Sequence, residues 1–120
     1  MRTDTGSATV WWICLCLLLW SVTLAVAAAA VSRLDRERAT TAADLAALAG
    51  AARAVRGPSE ACDGARTTAE ANNASLVSCE LDGHTVDVTA TVPSTVLDRD
   101  VSARARAGPA HEATTPEEER

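Results

Sequence analysis

The most prominent feature of the hydrophobicity pattern is a run of 28 residues, 5–32, that carries no charge. Its centre reads VWWICLCLLLW, and its apolar core at 10–31 supplies 22 residues. An α-helix needs about 20 such residues to cross a bilayer, and hydrocarbon offers the backbone no other hydrogen-bond partners. The pattern therefore predicts one transmembrane helix at 10–31, preceded by a short polar leader at 1–9.

The helix is expected to continue beyond the apolar run, because residues 32–56 are mostly good helix formers and contain no proline. Gly57-Pro58 should end it, which would give a rod about 70 Å long. Along this extension, side chains at spacings of three, four and seven residues share one stripe. The stripe comprises Leu34, Thr41, Leu45, Leu48, Ala52 and Val55. We expect Leu45 and Leu48 to take part in helix packing.

A second, shorter helix is predicted after the Gly-Pro break. Ser59 has the side chain of an N-cap, and acidic residues follow in the first turn. The helix is expected to end near Asn72. Its buried side should carry Ala61, Cys62, Ala65 and Ala69.

Residues 76–92 predict a β-hairpin. Asp82-Gly83 stands between two alternating runs, and this dipeptide is a strong hairpin signal when it occupies a two-residue loop. Such a loop would pair Leu81 with His84, Cys79 with Val86, and Val77 with Val88. These side chains, with Ala90 and Val92, would share the inward face.

Residues 101–107 alternate again and predict a third antiparallel strand at a sheet edge, where arginines discourage aggregation. Gly108-Pro109 should end the folded domain, and the acidic segment at 108–120 is expected to be a disordered tail. The predicted fold class is α+β. A transmembrane helix with an alanine-rich extension precedes a domain at 32–107 that adds a short helix and a three-stranded antiparallel meander.

Composition narrows the possible functions. The formal net charge is −5, and the short arginine group at 33–38 alternates with acidic residues, which argues against a nucleic-acid partner. The chain has no Tyr or Phe, and all three Trp lie in the apolar run. Alanine, valine and leucine must therefore build the core. A core of such small side chains needs additional stabilisation from a covalent cross-link or from neighbouring molecules.

The four cysteines fall into two pairs. Cys14 and Cys16 lie in the apolar run, where they are expected to be small apolar fillers. Cys62 and Cys79 lack any Cys/His metal spacing around them, so they indicate a disulfide if the compartment is oxidising. The hairpin pattern turns Cys79 toward the helical layer that carries Cys62. Closing this loop would stabilise the domain by about 3 kcal/mol on the chain-entropy model.

Nothing in the sequence predicts an active site, a metal site, a cofactor or a small-molecule substrate. His84 and His111 are most simply solvated side chains, because neither has a base or nucleophile placed beside it by a recognisable motif. There is no glycine-rich phosphate loop. We expect a protein that is not an enzyme.

Several motifs together resemble the TadE/TadG-like minor pilins of tight-adherence pilus systems. They are GSATVW at 6–11, AADLAALA at 42–49, Cys62, VSC at 77–79 and ARARAGP at 103–109. The likeness covers residues 6–109 and is greatest to actinobacterial TadE-like proteins encoded near secretion and helicase genes.

This resemblance implies a pilin-like fold and a role as a subunit or assembly factor of a tight-adherence pilus or type II secretion-like system. The implied partners are membrane lipid and other pilin-like or secretion-system proteins. It also implies leader processing between Gly6 and Ser7. Such proteins usually carry Glu five residues after that glycine, whereas this chain has Trp11. The difference favours an anchored assembly factor at least as much as a fibre subunit.

The sequence gives conflicting signals about orientation. Arg33, Arg36 and Arg38 outnumber Arg2, so the positive-inside rule would place the carboxyl-terminal domain in the cytoplasm. The cysteine pair and the resemblance favour a single-pass protein of the cell membrane with that domain outside the cytoplasm. The alternative is a secreted binding domain, released by signal-peptidase cleavage near residues 27–30.

Overall fold

A single helix, α1, contains the apolar run and also forms one wall of the folded part. The computed structural model describes residues 5–96 and 98–109, and α1 spans Thr5–Ala51 within them. The predicted extension of the apolar helix is therefore present. At a rise of 1.5 Å per residue, the 47 residues of α1 measure about 70 Å.

The end of α1 differs from the prediction, because the α-helix stops at Ala51 rather than beside Gly57. A 3₁₀ turn at Ala54–Arg56 follows. The backbone already turns more tightly than an α-helix before this 3₁₀ turn, since the Arg53 amide donates to the Gly50 carbonyl at 3.0 Å. Hydrogen bonds to the third residue back narrow the last turns of a helix. The chain then reverses at Gly57, whose φ of +110° is accessible mainly to glycine.

The second helix, α2, spans Pro58–Ala71, and its N-cap is Gly57. The predicted N-cap, Ser59, is wrong by two positions. Proline suits the first helical position because its φ is already helical and its missing N–H would have no partner there. The buried face of α2 consists of Ala61, Gly64, Ala65 and Ala69.

Three strands form one antiparallel sheet in the order β1-β2-β3. Strand β1 spans Ser75–Asp82, β2 spans Thr85–Pro93 and β3 spans Asp100–Ala107. The α+β class is thus confirmed, as is the edge position of the third strand. Helix α1 contacts β2 and β3, whereas α2 contacts β1 and packs beside α1.

The register of the hairpin differs from the prediction. Asp82 pairs with Thr85, so the loop is Gly83-His84, and Cys79 pairs with Val88. Gly83 has φ +62° and occupies the first central position, as a type II′ turn requires. The predicted loop would have needed positive φ at Asp82 as well. Because the shift is two residues, the Cys79 side chain still points toward the helices.

A β-bulge in β1 changes which side chains point inward at its start. The register shifts between Leu76 and Ser78, which leaves Val77 without a partner residue in β2. Val77 is 65 % exposed, whereas Leu76 packs against the core. The predicted inward position of Val77 is therefore wrong, since one extra residue reverses the alternation.

Small side chains make up most of the core. The inner face of α1 contributes Ala39, Ala42, Ala43, Ala46 and Ala47, which are all buried. Across from this face lie the buried β2 residues Val86 and Val88. Gly50 marks the tightest approach, because an added Cβ would lie 3.0 Å from Val86 Cγ1 and 3.1 Å from the Ala61 carbonyl oxygen. A side chain at position 50 would therefore force these neighbours to move.

Replacing Gly50 by valine should therefore destabilise the folded part by about 1–3 kcal/mol, the usual cost of overpacking. Unfolding of the full chain in detergent, followed by circular dichroism, measures the change. Ala52→Val is the matched control, since Ala52 is exposed just beyond the end of α1. Equal stability of the two variants would contradict this account of the core.

Candidate functional site

A disulfide joins α2 to β1. Cys62 and Cys79 are bonded, with their Cα atoms 5.8 Å apart and a sequence separation of 17. The predicted disulfide is thus present. Closure of this loop removes chain entropy from the unfolded state and stabilises the fold by about 3 kcal/mol. Cys14 and Cys16 are free thiols on the exposed surface of α1.

The apolar part of α1 extends away from the folded part. Its most apolar window has a mean hydropathy of 2.4, and none of that window is buried within the protein. Among residues 5–96 and 98–109, α1 is the one helix long and apolar enough to cross a membrane. Its few polar groups are satisfied locally, since Ser21 Oγ donates to the Leu17 carbonyl at 2.8 Å and Thr23 Oγ1 to the Leu19 carbonyl at 2.9 Å. Such satisfaction suits a helix surrounded by hydrocarbon.

Three leucines of α1 point away from the folded part. Leu34, Leu45 and Leu48 are 49 %, 40 % and 60 % exposed. At about 100° per residue, they lie on the side of the helix opposite the buried alanines. We call these three residues the outward leucine face. This face contains Leu45 and Leu48, the predicted packing residues, and it belongs to the same helix as the exposed apolar run.

The predicted processing position lies at the start of α1. Gly6 and Ser7 are helical and exposed, and no heavy atom lies within 4 Å of the position that a Cβ on Gly6 would take. Residues 1–4 of the predicted leader and residues 110–120 of the predicted tail, with His111, lie outside the described residues. Processing after Gly6 stays a prediction.

A buried carboxylate that the sequence analysis missed lies where α1 enters the folded part. The Asp35 side chain is 1 % exposed. It accepts hydrogen bonds from Ser94 Oγ at 3.0 Å, from the Thr95 amide at 3.2 Å and from Thr95 Oγ1 at 3.3 Å. The Arg38 guanidinium lies 3.8 Å away. We call this arrangement the Asp35 lock.

Two opposing effects act on the pKa of Asp35. Burial raises this pKa, because water no longer solvates the charge. The hydrogen bonds from Thr95 and Ser94, with the positive charge of Arg38, outweigh burial and hold the pKa below its ordinary value of 3.8. The carboxylate is therefore charged at neutral pH and ties the β2–β3 turn to the first turn of α1 beyond the apolar run.

A sequence signal for the lock did exist. Asp35 lies four residues before Ala39, so it shares the inner face with the buried alanines rather than the solvated face. A lone acid in that position requires donors, and the hydroxyls of Ser94 and Thr95 are the suitable groups in the turn after β2. The alternation of arginine and acid around Asp35 instead suggests that all of these side chains are solvated.

The remaining polar groups show no catalytic arrangement among the described residues. His84 is exposed in the hairpin loop. A second ion pair joins Arg104 to Asp87 through two contacts of 2.7 Å on the outer face of the sheet. Over 5–96 and 98–109, no group of three or more His, Cys, Asp or Glu residues lies close enough to hold a metal ion.

The model of one protein family matches part of the chain. The family is described as Flp pilus-assembly TadE/G-like, and the match covers residues 6–53. These residues contain the apolar run, the inner alanines and the outward leucine face. No curated protein and no solved structure matches the chain. The family match confirms the TadE-like resemblance over 6–53, out of the 6–109 predicted, and supports a pilus-related role.

Removing the Asp35 carboxylate should free the β2–β3 turn. Asp35→Ala is expected to lower the hydrogen-exchange protection of the Thr95 amide by at least about tenfold, because hydrogen bonds to a charged group are the stronger ones. Mass spectrometry of the peptide that contains Thr95 measures the exchange. Asp44→Ala, at an exposed position of the same helix, should leave this protection unchanged.

The Asp35 lock also predicts that the protection of the Thr95 amide depends on pH. Because the folded pKa of Asp35 is lowered, its contribution to stability is complete above pH 3.8 and is lost as the pH falls through the lower folded value. Protection of Thr95 should therefore decrease in acid for the wild type and for Asp44→Ala. A wild-type protection factor that does not change over this range would contradict the lock.

Proposed function

We propose that this TadE-like chain is a membrane-anchored pilin-like subunit or assembly factor of a tight-adherence pilus or type II secretion-like system. It acts through helix packing and protein–protein contacts rather than through chemistry. The observation that carries the proposal is the family match over 6–53, which includes a bare apolar run and the outward leucine face.

The exposure of the apolar run supports membrane anchoring. Large side chains such as Trp11, Leu18 and Trp20 are each more than 60 % exposed within the chain itself. Burying one such side chain is worth about 1.5–3 kcal/mol, so the whole run strongly favours an apolar environment. A bilayer accommodates a helix of this length directly.

The disulfide supports an extracytoplasmic position for the folded part. Disulfides persist in oxidising compartments and are rare in the cytosol. The Cys62–Cys79 bond links two elements of a core that is mostly alanine, so the fold depends on it more than a larger core would. The opposing argument, from the arginines after the span, is weakened because Arg38 lies beside the Asp35 carboxylate.

Packing on partners would use the side of α1 that the fold leaves open. The inner face is filled by the sheet and α2, whereas the outward leucine face continues the line of the membrane helix into the aqueous region. A second hydrophobic helix could therefore follow α1 across the membrane surface. Small residues at 27–30 would allow close approach within the bilayer.

Trp11 bears on two forms of this role, a fibre subunit and an anchored assembly factor. Prepilin-like proteins resemble this chain but usually carry an intramembrane Glu at that position, and a buried carboxylate in lipid is costly and normally functional. With Trp11 there instead, an anchored assembly factor fits the chain at least as well as a subunit of a fibre.

Anchoring and orientation can be tested together in intact cells. We expect the chain to stay in the membrane fraction after carbonate extraction, with a mature amino terminus at Met1 or Ser7. A membrane-impermeant maleimide should label Cys79 of a Cys62→Ser variant without lysis, and the wild type only after reduction. A terminus near Ala28 or Val31 would indicate a secreted domain, and labelling only after lysis would place the domain in the cytoplasm.

The outward leucine face should be needed for assembly and dispensable for folding. Leu45→Ala with Leu48→Ala is expected to reduce co-isolation of partner membrane proteins by about tenfold or more, since each buried leucine contributes about 1.5–3 kcal/mol. A photo-crosslinker at position 48 identifies those partners beforehand. Thr40→Ala with Asp44→Ala is the control, because both residues are exposed elsewhere on α1. Equal losses in both double variants would contradict the assignment.

A further inference from the structure

An arginine-lined cleft lies at the end of the folded part nearest the apolar run. Arg33 and Arg36 of α1 face Arg99 of the β2–β3 turn across it. The cleft has a volume of about 460 Å³, and Ser32, Asp100, Val101 and Ser102 complete its lining. No role assigned above uses these three arginines.

The residues that line the cleft carry a net positive charge. Within 5–96 and 98–109, the arginines that form ion pairs are Arg38, Arg66 and Arg104. The three cleft arginines have no carboxylate within ion-pair distance in that part of the chain. One acid, Asp100, lines the cleft. Glu37 lines a neighbouring groove with Arg33 and Arg36, and the exposed Asp98 precedes Arg99 in sequence. Three guanidiniums against one carboxylate leave a site suited to an anion.

The position of the cleft matches the headgroup layer of a bilayer. Arg33 and Arg36 follow Val31, the last apolar residue of the run, by two and five residues. At 1.5 Å per residue they lie about 3 and 7.5 Å beyond its end. The headgroup region adds about 5–7 Å to each side of the hydrocarbon, so both arginines fall at the depth of lipid phosphates.

We propose that this cleft binds the phosphate of an anionic phospholipid headgroup, an inference that rests on the proposed membrane anchoring. Guanidinium groups bind phosphate oxygens in pairs of parallel hydrogen bonds, and the hydroxyls of Ser32 and Ser102 add neutral donors. Arg99 belongs to the turn that the Asp35 lock holds against α1. A bound headgroup therefore fixes the rotation of α1 at the membrane surface, and with it the direction of the outward leucine face.

The test uses the full-length chain in nanodiscs of equal parts phosphatidylcholine and phosphatidylglycerol. After extraction into neutral detergent, mass spectrometry quantifies the phospholipids that stay bound. Each arginine near a membrane surface is worth about fivefold in affinity for anionic lipid. We expect the wild type to retain phosphatidylglycerol over phosphatidylcholine by at least this factor, and Arg36→Gln with Arg99→Gln to lose the preference.

The control is Arg56→Gln with Arg106→Gln, which removes the same charge from exposed positions at the opposite end of the folded part. It should keep the wild-type preference, and Arg33→Gln alone should reduce it. Equal preference in all variants, or none in the wild type, would overturn the headgroup site.

A second experiment distinguishes binding of a lipid phosphate from binding of free phosphate. The chain in neutral detergent without phospholipid is titrated with inorganic phosphate, and ³¹P NMR line widths report binding. Millimolar phosphate binding that depends on Arg36 and Arg99, without a preference for phosphatidylglycerol, would overturn the lipid source. Failure of the wild type to insert into nanodiscs would overturn the proposed function as well, whereas insertion without lipid preference overturns the headgroup site alone.

Discussion

Close packing of alanine against valine along the inner face of α1 is the contact on which the folded part depends. The alanines at 39–47 and Gly50 let α1 approach β2 and α2 closely, and larger side chains at these positions would separate the three elements. Small side chains bury little apolar area, so the fold depends more on the dispersion attraction between closely packed atoms. The consequence is a core that tolerates little change in volume.

Two further contacts hold this thin core at its opposite edges. The Cys62–Cys79 bond joins α2 to β1 on one side, and the Asp35 lock joins α1 to the β2–β3 turn on the other. One is covalent and acts on the unfolded state, while the other is an ionic hydrogen-bond cluster that acts on the folded state. The disulfide and the Asp35 lock each connect a helix to the sheet, and neither contact adds buried apolar area.

Features with a local cause could be predicted from the sequence. The apolar run, the helical extension, the meander and the cysteine pair each follow from periodicity or residue type within a short window. The loop register could not, because Asp82-Gly83 and Gly83-His84 are both acceptable turns with positive φ at Gly83, and they differ in the φ of Asp82, which is not positive here. The bulge at Val77 and the partners of Asp35 depend on contacts between segments distant in sequence, such as Asp35 and Ser94 at a sequence separation of 59.

The candidate packing residues illustrate how the two faces of α1 divide their roles. A leucine stripe on a helix is usually the core side, yet here the alanines face the core and Leu34, Leu45 and Leu48 face outward. Single exposed leucines are common, but here three lie on one side of a helix whose apolar run is also uncovered. Because the inner face is already filled by the sheet and α2, the core does not need the leucine side of α1. The same helix therefore packs against the rest of the domain on one side and leaves its leucines uncovered on the other.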